Sequence, residues 1–280
     1  MNASPLILIA YNRPNHLIKV LDALQKNSLI KETILYIYID GLRKNASRGE
    51  MYNRNNVLSI IKHINFSKET IVIERDENYG LEKNITLAIN DVLNTFDKVI
   101  VLEDDIVPSS FFLRFMNENL EIYKKSDIVF SVCSYMFPIN YKEKKNVLLP
   151  YFFSWGWGTW KHKWQKFQSI INKEAFKNAH LGSRFNLANY NYVNIINEKD
   201  SWAIKWYYTI FIHNGLCVFP TKSLTINIGN DGSGTHSTNE FVLKENFVDY
   251  IKSSKEKIID ITFLMNLYEY FDNRKKRLLW

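Results

Sequence analysis

The segment from Val99 to Pro108 carries three consecutive carboxylates, Glu103, Asp104 and Asp105, directly after an apolar run. The run has the length and the β-branched content of a central strand in a parallel sheet. Adjacent carboxylates repel one another unless a cation or solvent relieves them, and Mg²⁺ and Mn²⁺ prefer oxygen ligands. The segment therefore predicts a buried strand that ends in a divalent metal site, with a solvated acidic loop as the alternative.

The direction of the side chains along this strand is a further expectation. Because side chains alternate between the two faces of a strand, Glu103 and Asp105 are expected to point together and Asp104 the other way. Pro108 and Ser109 then interrupt the strand. This break favours the start of a helix over residues 111–123.

The first hundred residues alternate between short apolar runs and amphipathic segments. Strands are predicted at residues 6–10, 33–39 and 70–73, and helices after Asn12, over 57–64 and over 79–93. Asn12 is expected to cap the first helix, with Pro14 in its first turn. This alternation predicts an α/β fold with a mostly parallel central sheet flanked by helices. Ligands bind such sheets beyond the carboxyl ends of the strands, where Arg13, Asp40 and the three carboxylates fall.

The second half of the chain has a less regular pattern. Strands are predicted at residues 128–133 and 216–219, and a helix with a long aromatic face is predicted to begin at Asp200. Residues 151–160 form a loop rich in aromatic residues and glycine, and residues 227–236 form a polar, glycine-rich loop. A Lys-rich amphipathic tail follows from about residue 241.

Charge and cysteine content restrict the partners and the compartment. The formal net charge of +7 favours an acidic partner, such as nucleotide phosphates or an anionic membrane face. No nucleic-acid-binding motif accompanies the basic residues, so nucleic acid is not an expected partner. Cys133 and Cys217 lie in apolar surroundings, as buried thiols do in a reducing compartment. There is no signal peptide and no apolar run of about 20 residues, so a cytoplasmic protein is expected.

The C-terminal tail predicts a helix with one apolar stripe. The residues of the stripe recur at helical spacing: Ile258, Ile259, Phe263, Leu264 and Leu267. Residues 274–277 are all basic, and Trp280 ends the chain. Together these features predict a peripheral contact with the inner membrane face. In the alternative, the stripe packs on the rest of the protein and the basic run is solvated.

The order of these motifs resembles that of the GT-A glycosyltransferases. The resemblance is narrowest to the N-acetylglucosaminyltransferases that begin complex N-glycans and to related bacterial sugar transferases. It covers residues 5 to about 240 and is carried by these segments: Ile9-Ala-Tyr-Asn-Arg13-Pro14, Tyr38-Ile-Asp40-Gly41, Leu102-Glu-Asp-Asp-Ile106, Tyr151-Phe-Phe-Ser-Trp155-Gly-Trp157, Asp200-Ser201-Trp202 and Gly232-Ser-Gly234-Thr-His236. The third segment is similar to that family's Asp-X-Asp motif.

The resemblance implies a nucleotide-sugar donor and a divalent metal ion, Mn²⁺ or Mg²⁺. The donor would contact Ala10, Tyr11, Arg13, Asp40, Lys83, Glu103 and Asp104. The metal ligands would be Asp105 and His236, and the catalytic base would be Asp200. The acceptor would contact Trp155, Gly156, Trp157 and Trp202. The eukaryotic family carries two adjacent acids before the Trp, whereas Ser201 stands in the second place here.

The implied reaction is an inverting transfer from a nucleotide diphosphate sugar, a UDP-sugar above all, to a hydroxyl of a glycan or lipid-linked glycan. Such a reaction belongs to the synthesis of bacterial surface polysaccharides or glycoconjugates. The implied organisation is a GT-A catalytic domain over residues 1–240 and a C-terminal helical extension over 241–280. Within the domain, residues 1–107 would form the nucleotide-sugar half and residues 108–240 the acceptor half.

Each site residue also has a structural alternative. Arg13 and Lys83 could instead be solvated side chains, and His236 a solvated loop residue. Asp40 could instead be an acid that stabilises a turn. Trp155 and Trp157 have the alternative of core packing, against stacking on a sugar ring.

Two other functions fit part of the pattern. A sugar-nucleotidyltransferase also uses a parallel sheet and carboxylate-bound Mg²⁺, but it carries a glycine-rich basic loop after the first strand, and Tyr11-Asn-Arg13-Pro14 lacks that character. A basic module that binds carbohydrate or nucleic acid without catalysis needs no acidic triplet at a strand end.

Overall fold

A computed structural model of the chain describes residues 3–199, 201–229, 231 and 247–273. The strands are β1 (Leu6–Ala10), β2 (Ile34–Ile39), β3 (Glu69–Glu74), β4 (Lys98–Glu103), β5 (Ile106–Pro108), β6 (Val129–Cys133), β7 (Asn146–Leu149), β8 (Trp157–Trp160), β9 (Leu216–Pro220) and β10 (Thr225–Asn227). The helices are α1 (Pro14–Gln25), α2 (Arg48–Ile61), α3 (Gly80–Thr95), α4 (Phe112–Ile122), α5 (Lys161–Trp164), α6 (Ala179–Phe185), α7 (Tyr192–Glu198), α8 (Trp202–Ile212) and α9 (Ile261–Asn273). Short 3₁₀ helices span Ile30–Glu32 and Lys173–Lys177.

A central eight-stranded sheet has the order β3-β2-β1-β4-β8-β6-β9-β7. Strands β1 to β4, β6 and β9 run in one direction, and β7 and β8 run in the other. Strands β5 and β10 form a separate antiparallel pair. The chain is therefore an α/β protein with a mostly parallel sheet flanked by helices, as the sequence predicts.

The two faces of the sheet carry two apolar cores. In β1, Ile7 and Ile9 point into one core, whereas Leu6 and Leu8 point into the other, because side chains alternate along a strand. Helices α3, α8 and α9 cover the first face, and α1, α2 and α4 cover the second. Strands from both halves of the chain share this one sheet, and its parallel strands place their carboxyl ends along one edge.

The beginnings of two helices differ from the prediction. Helix α1 has Pro14 at its first position, as expected, but the flanking residue is Arg13, and no side chain caps it; the prediction that Asn12 caps α1 is wrong. Helix α2 begins well before residue 57 because Ser47 and Glu50 form a capping box, in which each side chain accepts the other's backbone N–H. The spacing of these two residues is visible in the sequence and could have predicted the start.

The segment predicted as an aromatic loop contains strand β8. Strand β8 pairs with both β4 and β6, so its partners lie far away in the sequence. A Cβ on Gly158 would come within 2.8 Å of the Val99 carbonyl oxygen in β4. Glycine is therefore needed at this position for the close approach of two strands, and it does not mark a loop.

The C-terminal helix α9 packs on the rest of the protein. Phe263, Leu267 and Phe271 are buried in the same core as α3 and α8. The alternative prediction, in which the stripe packs on the rest of the protein, therefore holds for Phe263 and Leu267. It does not hold for Ile258, which is exposed. Residues 274–280 lie outside the described ranges, so the membrane contact stays a prediction.

Asp260 fastens the start of α9. One carboxylate oxygen accepts the Phe263 N–H at 3.0 Å, and the other accepts the Tyr141 hydroxyl at 2.8 Å and lies 3.2 Å from Lys145 Nζ. Burial acts to raise the pKa of Asp260, but these donors and the lysine charge outweigh it and lower that pKa.

We expect Asp260→Ala to lower the free energy of unfolding by about 0.5–2 kcal/mol, because the helix loses its N-terminal cap. Asp260→Asn is the matched control, since Asn still caps but has no charge. A carboxyl whose pKa is lower in the folded protein stabilises the folded state at pH values above its unfolded pKa of about 4. This stabilisation is lost as the pH falls through the pKa of the folded state. Urea unfolding at pH 7 and below pH 4 measures both effects. A difference between wild type and Asp260→Asn that grows in acid would contradict the charge assignment.

Two further predictions can be compared with the structure. Cys133 and Cys217 are buried free thiols, as expected. Within the described residues, every helix is too short or too polar to cross a membrane.

Candidate active site

The candidate site lies at the carboxyl ends of β1 and β4, which are neighbours in the sheet. The parallel register pairs Ile9 with Glu103, so the residues after β1 lie beside the acidic residues after β4. The Arg13 guanidinium donates to Asp105 Oδ2 at 2.8 Å and to Asp104 Oδ1, and the Tyr11 N–H donates to Asp104 Oδ2. The sheet therefore brings Arg13 and the acidic triplet together, as the sequence predicts.

The acidic side chains do not alternate as predicted. Strand β4 ends at Glu103, and Asp104 and Asp105 form a turn before β5. Both aspartates therefore reach the same guanidinium, and the prediction that Asp104 points away from Asp105 is wrong. The strict alternation of a strand does not hold once the chain turns.

The electrostatics of the cluster follow from burial and close charges. Burial raises the pKa of Glu103 to about 8, and the charges of Asp105 and Asp104 act in the same direction against the opposing charge of Arg13. Burial also raises the pKa of Asp104, although Arg13 opposes the shift. Burial acts to lower the pKa of Arg13, but the two aspartates outweigh it and raise that pKa. The cluster thus combines three carboxyl groups, Glu103, Asp104 and Asp105, with the single positive charge of Arg13.

The chain after β10 closes one side of this cluster. Strand β10 pairs with β5, and the Ile228 N–H donates to the Asp105 carbonyl at 2.9 Å. A Cβ on Gly229 would lie 2.1 Å from Asp105 Oδ2 and 3.1 Å from an Arg13 nitrogen. Only glycine allows the backbone to lie this close to the carboxylate, so the glycine-rich loop begins directly on the site. Gly229 was not among the predicted site residues, although the loop was.

Asp231 continues the same loop toward helix α1. Its carboxylate lies 3.1 Å from His16 Nε2. His16 was also absent from the predicted site, because a histidine early in an amphipathic helix has no local signal for binding. This contact ties the start of the loop to the helix that follows Arg13.

One carboxylate oxygen at this cluster is open to a cation. Asp105 keeps 14% of its side chain exposed, and only its Oδ2 atom meets Arg13. Its Oδ1 atom receives no hydrogen bond from any residue in the described ranges, and carboxylate oxygens are the ligands that Mg²⁺ and Mn²⁺ prefer. No group of three acidic, histidine or cysteine side chains converges as a metal site within the part of the chain that the structure describes.

Tyr11 adds a polar group without a partner. Its hydroxyl is buried and makes no hydrogen bond to any described residue. A buried hydroxyl without a partner costs about 1–3 kcal/mol, so a hydrogen bond from a ligand or a water would stabilise this atom. Ala10, the preceding residue, uses its carbonyl oxygen to accept the Asp40 N–H at 3.1 Å.

Asp40 serves as a structural acid in this structure. Its two carboxylate oxygens accept the N–H groups of Gly41, Tyr79 and Gly80 and the Asn78 side chain at 2.8–3.1 Å. The three bonds from Asn78, Tyr79 and Gly80 fasten the end of β2 to the start of α3. The arrangement is that of the turn acid, which was the alternative to a ribose or base contact.

Lys83 lies on the exposed side of the first turn of α3. Its ammonium group sits 3.9 Å from the centre of the Tyr79 ring, a cation–π contact. Glu82, its neighbour, forms a 2.6 Å ion pair with Lys205 of helix α8. The start of α8 is thereby held beside the start of α3, close to the sheet edge that carries the site.

The predicted acceptor residues divide into buried and part-exposed ones. Trp157 is fully buried, and its ring stacks on Trp202 with centroids 5.3 Å apart. Trp202 is 3% exposed, so neither ring presents a face to a sugar, and both belong to the core. Trp155 is part-exposed. The next residue, Gly156, has a φ of +79°, a backbone conformation that favours glycine.

Two predicted residues cannot be compared with the structure. Asp200 and His236 lie outside the described residues, so the catalytic base and the second metal ligand stay predictions.

Comparisons with known proteins give structural matches alone. No family model matches the chain, and neither does any curated protein. The chain is similar to a mannosyltransferase, PcManGT, from Pyrobaculum calidifontis, solved with GDP-Man and Mn²⁺. This match has a TM-score of 0.46 and 12% sequence identity, and it covers 76% of this chain and 69% of that one. It is similar to S. aureus TarS with TM-score 0.47 and 11% identity over 79% of this chain and 36% of that one. The chain is also similar to LgtC, with a TM-score of 0.38 and 12% identity, over 62% of this chain and 65% of LgtC. At these values the likeness assigns no activity to the chain.

Proposed function

We propose that the protein is a metal-dependent, inverting glycosyltransferase. It transfers a sugar from a nucleotide diphosphate sugar, a UDP-sugar above all, to a hydroxyl of a glycan or lipid-linked glycan acceptor. The transferred group is a hexosyl or N-acetylhexosaminyl group, and the product belongs to a bacterial surface polysaccharide or glycoconjugate.

The observation that carries this proposal is the pairing of Arg13 with Asp104 and Asp105 at the carboxyl ends of β1 and β4. Anionic diphosphates need both a cation and positive side chains, and this cluster offers carboxylates for the first and a guanidinium for the second. In open α/β sheets this edge is where ligands bind. Tyr11, whose N–H donates to Asp104, also has a buried hydroxyl without a partner among the described residues, which a ligand could satisfy.

Each residue then has a defined task. Arg13 contacts the diphosphate, and Asp104 and Tyr11 orient the sugar or ribose, with Glu103 behind them. Asp105, together with His236, would hold Mn²⁺ or Mg²⁺, which neutralises the charge that develops on the leaving diphosphate. Asp200 would accept the proton of the acceptor hydroxyl. Attack from the face opposite the leaving group inverts the anomeric configuration.

The rival functions fit the site less well. A sugar-nucleotidyltransferase binds phosphates with a glycine-rich basic loop after the first strand, whereas here Tyr11 and Arg13 follow β1 directly. A carbohydrate-binding module without catalysis has no use for acidic side chains that are held at a strand end against an arginine.

Donor hydrolysis tests the proposal. The protein is incubated with a panel of UDP-, GDP-, dTDP- and CMP-sugars, with Mn²⁺, with Mg²⁺ and with EDTA. We expect release of the nucleoside diphosphate from one donor class, with loss of activity in EDTA and recovery on adding Mn²⁺. A parallel incubation contains a nucleoside triphosphate, a sugar phosphate and Mg²⁺, and release of pyrophosphate there would instead establish the nucleotidyltransferase. No turnover of any donor, in a protein that binds glycans, would favour the binding module.

A further inference from the structure

Helix α9 and the residues just before it expose apolar side chains opposite the buried stripe. Ile258, Ile261 and Met265 are 78%, 61% and 58% exposed, whereas Phe263 and Leu267 are fully buried. Ile261 and Met265 stand four residues apart, so they are neighbours on the outer face of the helix. Single exposed apolar residues are common, but neighbouring ones indicate a surface that contacts a partner.

Three segments of the chain meet around these apolar side chains. The Lys252 N–H donates to the Lys144 carbonyl at 3.0 Å, which joins the segment between β6 and β7 to the segment that leads into α9. The Asn266 side chain in α9 donates to the Asn140 carbonyl of the first segment at 2.8 Å. Lys222, which follows β9, also donates to a carbonyl of that segment, at 3.1 Å. One surface, which we call the basic–apolar face, is therefore formed by residues 140–146, 222 and 252–265.

The basic–apolar face is strongly positive, because it contains seven lysines and three acids. Glu143 and Asp260 each lie 3.2 Å from Lys145 Nζ, so two of the acids share one lysine. Burial lowers the pKa of Lys222, and the charge of Lys144 lowers it further. Five lysines of the face are exposed and form no ion pair with a described residue: Lys142, Lys144, Lys252, Lys255 and Lys257. Since like charges repel, an anionic partner would stabilise this face.

The combination of charge and apolar surface selects the partner. A polyanion such as a nucleic acid would pair with the lysines but leave the isoleucines in water. An apolar groove of another protein would cover the isoleucines but leave the lysines without counter-charges. The surface of an anionic bilayer offers both kinds of contact, because headgroups attract basic side chains and the acyl boundary accepts apolar ones. Lysine side chains are long enough to reach headgroups while neighbouring apolar side chains lie deeper.

We propose that the basic–apolar face docks the protein on a lipid bilayer that is rich in anionic headgroups. The lysines contact the headgroups, and Ile258, Ile261 and Met265 enter the boundary of the acyl layer. This inference goes beyond the proposed function, because docking needs neither a nucleotide sugar nor a metal ion. It also differs from the prediction made for the tail, which assigns the membrane contact to residues 274–280.

Co-sedimentation of the full-length protein with vesicles tests the lysines. The vesicles contain phosphatidylcholine alone or mixed with phosphatidylglycerol. We expect the wild type to bind the mixed vesicles, to bind less as salt is raised, and not to bind the neutral ones. Each basic residue near an anionic surface contributes about fivefold in affinity, so the triple variant Lys144→Gln, Lys252→Gln, Lys255→Gln should bind about 100-fold more weakly. The matched control, Lys19→Gln, Lys26→Gln, Lys62→Gln, removes the same charge from exposed positions on α1 and after α2 and should bind as the wild type does.

A second pair of variants tests the apolar contact. Ile258→Ser should weaken binding to the mixed vesicles about three- to tenfold, because part of one apolar side chain no longer leaves water. Ile170→Ser is the matched control, since Ile170 is 81% exposed but lies outside the basic–apolar face. This control should bind as the wild type does. Thermal melting of every variant confirms that it is folded.

Several results would overturn the inference. Equal weakening by the two triple variants would show that net charge alone decides binding. If glutamine at all four positions 274–277 abolishes binding while the triple variant of the face binds as the wild type does, the tail is the anchor. Binding to heparin but not to vesicles, unchanged by Ile258→Ser, would mark a site for polyanions. Because no nucleotide sugar is present, failure of the proposed function would leave these results unaffected.

Discussion

Replacing Asp105 with Asn is expected to lower sugar transfer by about 10²–10³-fold or more, the range found when a fixed electrostatic contact to the transition state is removed. Asn keeps the shape of the side chain and one oxygen, but it has no charge to hold a divalent ion. Arg13 stays paired with Asp104 in this variant. The fold should therefore be preserved while the metal-dependent step fails.

The measurement is the initial rate of transfer as a function of Mn²⁺ concentration, together with thermal melting. Glu118→Gln is the matched control, because Glu118 forms an exposed ion pair with Arg114 one helical turn away, a contact worth about 0.3–0.5 kcal/mol. The control should keep the wild-type rate at every metal concentration. A folded Asp105→Asn protein with the wild-type rate at limiting Mn²⁺ would remove Asp105 from the metal site.

Local pattern was sufficient for the strands of the first half of the fold. Strands β1 to β4 have continuous apolar runs, and β1, β2 and β3 pair in parallel with strands adjacent to them in the chain, whereas β4 pairs with β1 across most of this half. The carboxyl ends of parallel strands lie along one edge of the sheet, so the sequence could place Arg13 and the acids after β4 on the same edge. The pairing of β1 with β4, which brings them into contact, could not be predicted from the local pattern.

The second half depends on contacts that no local pattern contains. Strand β8 was predicted as part of a loop because its glycine and tryptophan residues resemble loop chemistry, but its pairing with β4 and β6 decides its conformation. The same pairing buries Trp157 and leaves Trp155 part-exposed. The alternation of Glu103, Asp104 and Asp105 failed for a related reason: a turn of two residues replaced the expected strand.

In the sequence, Asp200 stands two residues before helix α8, and the start of α8 is joined to the start of α3. Helix α8 begins at Trp202, and Lys205, within its first turn, forms a 2.6 Å ion pair with Glu82 in the first turn of α3. Helix α3 in turn begins at the residues that Asp40 fastens to the end of β2.

Replacing Asp200 with Asn is expected to lower kcat by about 10²–10⁴-fold, the usual cost of losing a positioned base, while the affinity for the nucleotide stays close to that of the wild type. The amide cannot accept the proton of the acceptor hydroxyl, but it makes no change at Arg13 or Asp105. Calorimetry with the nucleoside diphosphate and Mn²⁺ measures the affinity, and turnover at saturating donor measures kcat. Glu198→Gln, two residues earlier at the exposed end of α7, is the matched control and should retain both. If nucleotide affinity falls in Asp200→Asn while kcat holds, Asp200 is a binding residue, and the proton must go to another group.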